Sequence, residues 1–511
     1  PNEFDKMMAA LGVNGVNAYT SNEQTVYVNN VPSNQLENFF NVEAERFRNP
    51  QMRLFHTELE AVYEEKNRGL DNDGRKAYEA MYAGLFPTHP YGTQTTIGTV
   101  EHLKNPSLKE IKKFLQTYYV PNNMVIALSG DFNPDEAIKI IAERFGKMSA
   151  KEIPSFNSPQ EKLIKSPVVK DVYGPDAESV MIGFRFGGAN SADADILTMV
   201  DMILSNGQAG LLDLNINNSQ KALGASSTTD IMKDYSMHLL SARPREGQTL
   251  EELRDLLLKQ IAEIKMGNFP DWLIPAIVTN MKLDQARRYE DNSNRTSEMI
   301  DAEITGVPYK DAVNRLDRLS KINKAQVVQF VRDWYGDNYV IVYKRTGEDK
   351  NVVKVNKPAI TPVKMNSDKQ SEFLKNITTV KAPAISPSFV DFSKAITTTK
   401  LKSGIPVYSV VNKENAVFDL SYTIPVGTNV DPRWSVITDY FKYLGTSKYS
   451  SSQIKEEFYK IGCDFSARSS EDEVTIDVNG IQENFTQAVI LIESLLSDPK
   501  ADDESFANLT D

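Results

Sequence analysis

A chain of 511 residues exceeds one average domain and leaves room for three or four. Its composition, 41% apolar and 25% charged with ordinary Gly and Pro, excludes a disordered or fibrous chain. A net charge of -12 argues against nucleic acid as the main partner, and the single cysteine, Cys463, excludes an internal disulfide and any Cys-built zinc cluster. Cys463 itself reads as a small buried hydrophobe rather than a nucleophile. No apolar run has membrane-spanning length, so no transmembrane segment is expected in this chain. Pro1-Asn2-Glu3-Phe4 shows neither an initiator Met nor a signal peptide, and Phe506 to Asp511 reads as a helix cut short. The natural protein is therefore expected to extend beyond both ends.

Phe4 to Leu11 carries apolar positions at helical spacing, and Gly12 to Gly15 ends the run. Gln24 to Val31 alternates like a strand, and Asn34 to Phe47 returns to a helical period. A helix is expected over Thr57 to Arg68, followed by the turn-rich stretch Gly69 to Gly74. Lys109 to Tyr119 reads as a helix, Met124 to Ser129 as a buried strand, and Asp135 to Phe145 as a helix opened by Asn133-Pro134. Helices interleaved with strands predict an α+β fold, with helices packed on a mixed, largely antiparallel sheet.

Two internal repeats divide the chain. Phe114 to Ala127 matches Phe330 to Tyr343, each an aromatic-ended helix, a turn and an apolar run, so each closes one domain. Phe4 to Thr25 shares its layout with Ile454 to Thr475, with Leu11-Gly12 matching Ile461-Gly462. The expected domains are 1–155, 166–345 and the start of a third at 396–511, with 346–395 as an extended, exposed connector.

The four histidines, His56, His89, His102 and His238, include no pair three or four residues apart, so no helical His pair exists for a metal. There is no phosphate loop, dinucleotide fingerprint or nucleophile elbow. The acidic segment His56 to Arg68 places Glu58 and Glu65 seven residues apart, on one helical face with Val62 between them. Two carboxylates on a buried face are costly without a cation or donors. On spacing alone, a charged helix surface is the better account of the pair.

The segment resembles the third-ligand helix of the pitrilysin/insulinase family of zinc metallopeptidases (M16). In that family an inverted motif, His-x-x-Glu-His, supplies two zinc ligands and the catalytic base. A later glutamate completes the site, and another, seven residues before it, supports it. Glu58-Leu-Glu-Ala-Val-Tyr-Glu-Glu65 matches that pattern. The resemblance implies that Glu65 is a zinc ligand and Glu58 its support; Glu64 breaks the spacing and points about 100° away. Asn17-Ala18 resembles the strand that contacts the substrate backbone. His89-Pro-Tyr-Gly92, Ile97-Gly-Thr99 and Tyr119-Val-Pro-Asn-Asn123 are also family-like, though as turns and helix caps, with His89 structural.

The motif itself is expected ahead of Pro1. In the third domain Gly445-Thr446 matches the Gly-Thr that follows it, which puts Val436-Ile-Thr-Asp-Tyr440 in its place, without histidine. That domain resembles the family's inactive half. The Arg-Tyr pair that some relatives use for the substrate carbonyl is absent from Leu211 to Lys221 and would come from beyond Asp511. The resemblance implies a two-lobed zinc endopeptidase that hydrolyses peptides or unfolded segments in an enclosed chamber. Zn(2+) is expected in the complete protein and is absent or weakly bound in this chain, which alone is expected to be inactive. A non-catalytic subunit of the same fold is the first rival, and a plain peptide- or glycan-binding α/β protein the second. The periplasm is the expected location, with an organelle or the cytoplasm as alternatives.

Overall fold

The computed structural model describes residues 2–104, 106–349, 354–355, 359, 361–366 and 368–510. The chain forms two compact units, Pro1–Glu161 with Asp349–Asp391, and Lys162–Glu348 with Phe392–Asp511.

The first unit opens with α1 (Glu3–Ala10), the hairpin β1 (Asn14–Thr20) and β2 (Thr25–Asn30), and α2 (Leu36–Arg48). There follow α3 (Phe55–Leu70), α4 (Asp73–Leu85), α5 (Leu108–Tyr118) and α6 (Pro134–Phe145). Gly12, at φ 70°, ends α1 in a conformation that only Gly adopts without strain. Asn133 caps α6, its Oδ1 accepting from the Asp135 and Glu136 N–H groups at 3.0 and 3.2 Å. The core joins Met7, Met8, Leu11, Val13, Phe39, Phe40 and Val42 to Leu374 and Ile377.

Two expectations need correction here. Met124 to Ser129 is not a strand, and Val125 and Ile126 are exposed. An apolar run becomes a strand only when a neighbour takes its backbone groups, and among the described residues this run has no ladder. The stretch expected as an extended connector carries the helix Glu372–Thr379, whose Leu374 and Ile377 fill the core just described. Ser371 caps it, and the Ser371 N–H and hydroxyl both donate to the Glu3 carboxylate at 2.7 Å. Residues 350–353, 356–358, 360 and 367 of that stretch lie outside the described residues.

The second unit has a five-stranded sheet in the order β3-β7-β4-β6-β5: β3 (Val168–Gly174), β4 (Ser179–Gly187), β5 (Gly224–Ile231), β6 (Tyr235–Arg243) and β7 (Tyr339–Thr346). Only β3 and β7 run parallel. The sheet is thus mixed and largely antiparallel, as expected. β7 is paired on both sides and buried from Tyr339 to Lys344, which explains its unbroken apolar run. Helices α7 (Asp193–Leu204), α8 (Leu250–Met266), α9 (Leu273–Arg288), α10 (Asn292–Thr305) and α11 (Lys324–Trp334) follow the chain, and all but α10 bury apolar residues in one core with the sheet.

The same unit continues through the hairpin β8 (Thr397–Lys400) and β9 (Pro406–Ser409) to β10 (Val417–Ile424) and α12 (Arg433–Tyr440). Beyond these lie α13 (Ser451–Lys460), β11 (Cys463–Ser469), β12 (Val474–Ile481) and α14 (Phe485–Ser497). From α13 onward the order helix, strand, strand, short 3-10 turn, helix reproduces α1 to α2. Gly462 has φ 60°, near the value at Gly12. The seam with the preceding helices is both apolar and polar: Tyr459 joins their core, Asn280 Nδ2 donates to the Tyr459 carbonyl at 2.7 Å, and Arg287 grips both Asp419 oxygens at 2.5 and 3.0 Å.

Cys463 is fully buried, and burial pushes its thiol up to about 12. At pH 8 the folded protein is expected to leave Ellman's reagent unreacted, and the denatured protein to release one equivalent. Fast labelling of the native state would contradict this burial.

Candidate metal centre and substrate strand

α3 presents an amphipathic pattern with a narrow buried stripe. Leu59, Tyr63 and Lys66 are buried, Val62 is half-buried, and Glu58, Glu64 and Glu65 are exposed. The Glu58–Glu65 face therefore adjoins the buried stripe, about 100° around the helix, rather than lying within it. Leu59 and Tyr63 pack with Leu103 and Val355, and the Tyr63 hydroxyl donates to the Leu103 carbonyl at 2.9 Å. The expected turn at Gly69 to Gly74 is only a brief break. Asn72 caps α4 there, its Oδ1 accepting from the Arg75 N–H at 2.8 Å.

A carboxylate oxygen is a proper zinc donor, so Glu65 fits one position of a tetrahedral site. Among the described residues no group of three or more His, Cys, Asp or Glu side chains converges to hold a metal. The histidines do not add to it. His89 is 1% exposed, accepts from the Tyr91 N–H at 3.2 Å through Nδ1, and meets Ser158 Oγ at 3.0 Å through Nε2. His238 is enclosed by Ser227 and Tyr335 at 2.6 and 2.5 Å. His56 and His102 are exposed.

Asn17 and Ala18 lie in β1, opposite Val28 and Tyr27. β1 is exposed along its whole length, its sheet has two strands, and the Ala18 N–H donates to Asn17 Oδ1 at 2.9 Å. A two-stranded hairpin is marginal alone, and side chains tie this one down. At the turn the buried Tyr91 donates its hydroxyl to Glu23 Oε1. In mid-strand the Tyr27 and Tyr119 hydroxyls meet at 3.2 Å. The Arg46 guanidinium lies 4.5 Å from the Phe4 and Tyr27 ring centres and 5.0 Å from that of Phe47. Burial pushes the Glu43 carboxyl up, and Arg46, 2.5 Å away, opposes that shift. In the sequence Tyr91 and Tyr119 belong to turn motifs, whereas Arg46 and Glu43 stand outside every motif. The tyrosines had a signal in those motifs; the Arg46 platform had none beyond the i, i+3 spacing of the pair.

In the second unit, α12 contains Val436 to Tyr440, the stretch expected in the motif's place. It packs on β11, the strand equivalent to β1, with Thr438 buried, Asp439 exposed and Thr438 Oγ1 3.4 Å from Ser469 Oγ. Leu211 to Lys221 contains the π-helical turn Asp213–Asn218. Asp213 accepts there from the Asn206, Gly207 and Gly210 N–H groups at 2.7, 2.8 and 3.2 Å, and burial pushes its carboxyl up.

Comparison with known proteins gives two family matches: "Insulinase (Peptidase family M16)" over residues 1–95 and "Peptidase M16 inactive domain" over residues 106–281. The zinc protease PqqE of Helicobacter pylori is 26% identical over 303 residues, 57% of this chain and 67% of that protein. The mitochondrial-processing peptidase subunit beta of Caenorhabditis elegans is 24% identical over 166 residues, 31% of this chain and 36% of its own. In fold, the chain resembles pitrilysin (TM-score 0.61, 15% identity, 99% of this chain) and the periplasmic protease PqqL of Escherichia coli (TM-score 0.57, 15% identity, 99% of this chain). The chain spans 57% and 60% of those two structures.

The Tyr91–Glu23 bond predicts that Tyr91→Phe loosens the hairpin without unfolding the unit. Loss of one charge-assisted bond should speed amide exchange in β1 and β2 by about tenfold. Unchanged exchange would show that the tie does not hold the strand.

Proposed function

Because the chain belongs to the M16 family of zinc-protease-like proteins, we propose that it is part of a zinc endopeptidase acting on peptides and unfolded polypeptide segments. Glu65 is the carboxylate zinc ligand of that enzyme and Glu58 supports it. The two histidine ligands and the general base come from residues outside these 511, since the sequence contains no His-x-x-Glu-His. The observation that carries this reading is the open face of β1. Its counterpart β11 is covered by α12, in which the motif-equivalent residues sit, whereas every residue of β1 is exposed. A motif helix placed on β1 as α12 is placed on β11 would bring histidines to the Asn17-Ala18 strand.

Zinc, when bound, supplies a polarised water and carbonyl. The chain's own residues do the rest of what is assigned here. Glu65 contributes one anionic oxygen, and Glu58, two helical turns away on the same face, orients the ligand set by hydrogen bonding. β1 offers backbone groups to an extended peptide, as in strand addition to a sheet edge. For that, the Ala18 N–H exchanges its bond to Asn17 for one to substrate. A folded protein offers little free main chain to such an edge, which supports peptides and unfolded segments as the substrate class.

On the same reading, residues 1–155, 166–345 and 396–511 are successive M16-like domains, the last without metal chemistry, and 346–395 joins the two halves. The location is periplasmic, by likeness to PqqL, and an organelle is the alternative suggested by the mitochondrial relatives. A second reading, a non-catalytic binding or assembly subunit, is favoured by the inactive-domain match over residues 106–281.

In the complete protein, Glu65→Gln should keep the fold and lose most bound zinc and most hydrolysis of an unfolded polypeptide. Glu58→Gln should weaken zinc about 10–100-fold, as expected of a supporting carboxylate. Metal analysis and a peptide-cleavage assay check both. Wild-type zinc content in Glu65→Gln would refute the ligand assignment, and a complete protein without zinc or hydrolysis would favour the non-catalytic subunit.

A further inference from the structure

α3 has to present Glu58 and Glu65 outward and still be held in place, yet its apolar anchorage is thin. Among the described residues, Leu59 and Tyr63 cluster with Leu103 and Val355 as buried apolar partners, with Phe55, Val62 and Val100 at the edge. Val355 is the distant member. It lies in the stretch that follows β7 and is 3% exposed. Its backbone is gripped at both polar atoms by one side chain of α3. Asn67 Nδ2 donates to the Val355 carbonyl at 3.1 Å, and the Val355 N–H donates to Asn67 Oδ1 at 2.8 Å. A carboxamide with one donor and one acceptor side by side satisfies both backbone groups of one residue, as a neighbouring strand would. Lys354 adds an exposed ion pair to Asp71, 3.1 Å away at the end of the helix.

Asn67 stands two residues from Glu65, and Val355 fills the stripe that adjoins the carboxylate face. A helix with a single narrow stripe can roll about its axis with little loss of contact, and a roll carries its exposed carboxylates sideways. Metal ligands tolerate errors of only about 0.5 Å before affinity falls. Resting on the zinc-ligand reading above, we propose that Asn67 and Val355 are positioning residues for Glu65: the connector is clamped to the ligand helix and fixes its rotation. Asn67 sets the height and register of the strap, and the Val355 side chain sets the angle of the stripe against Leu59 and Tyr63.

The test uses the complete protein and four variants. Asn67→Ala and Val355→Ala should each weaken zinc about tenfold in chelator competition, the scale of a supporting contact. Both should speed amide exchange in α3 while leaving exchange in α2, in the same unit, at the wild-type rate. Lost kcat should return on adding zinc, with KM for the peptide unchanged, whereas a globally destabilised variant would speed exchange in α2 as well as in α3. Val355→Ile, which keeps the apolar plug and the backbone clamp, should behave as wild type. Zinc affinity within twofold of wild type in both alanine variants, or a loss that added zinc does not restore, would overturn the clamp. If Glu65→Gln loses zinc while Asn67→Ala keeps it, the clamp alone fails. If Glu65→Gln keeps zinc, the ligand assignment fails and the clamp's role falls with it.

Discussion

The constraint on which the N-terminal unit depends is the double duty of α3. A helix that buries one face gains about 1.5–3 kcal/mol for each large apolar side chain taken from water. Among the described residues that gain comes from a cluster of four buried residues, two on the helix and two on other segments. The adjoining face must stay open for carboxylates, because a charge buried without a partner costs several kcal/mol. Those requirements leave no room for a broader apolar stripe. Stability is instead borrowed from segments far along the chain, and the Asn67–Val355 pair is the clearest instance.

The same economy appears at the hairpin. β1 and β2 share one ladder, and neither β1 face is covered. The equivalent strands in the other unit have more support: β12 is paired on both sides, by β10 and β11, and β11 lies under α12. Like sequences therefore reach unlike burial because their neighbours differ. Where neighbours are few, polar side-chain ties take over, from Tyr91 to Glu23 and from Tyr27 to Tyr119. The aromatic rings that ride on Arg46 add dispersion and cation–π attraction where no second sheet layer is present among the described residues.

Periodicity made most helices legible. α1, α2, α3, α5 and α6 all lie within a few residues of their expected spans, because each carries its own apolar stripe, and Ser107 and Asn133 cap α5 and α6. The long apolar run of β7 was legible for a different reason, being a central strand with partners on both sides. Met124 to Ser129 has a similar composition and is not a strand, since composition cannot supply a partner. The Glu58–Glu65 pair was visible through a spacing that any helix would project onto one face. What the spacing could not tell was that the face is exposed, because that depends on which residues come to lie beneath Leu59 and Tyr63. Asn67 and Val355 are 288 residues apart, and nothing local marks either as half of a clamp. The helix Glu372–Thr379 was lost for a related reason: a stretch rich in Lys, Pro and Thr hides two apolar residues, Leu374 and Ile377, that matter only beside α1.

A lightly supported edge strand also bears on substrate choice under the proposed function. An isolated hairpin leaves the outer backbone groups of β1 to water, so a peptide that adds as a third strand replaces hydration with a ladder at small net gain for each bond. That gain has to exceed the entropy of ordering the peptide, about 1–2 kcal/mol for each backbone residue fixed. Backbone pairing along a strand of this length is therefore insufficient alone, and side-chain contacts must contribute. The exposed Val16, Tyr19 and Tyr27 supply apolar and aromatic surface on the same hairpin. Binding of this kind favours segments that are already extended and carry apolar side chains, which is the character of unfolded polypeptide rather than of a folded surface.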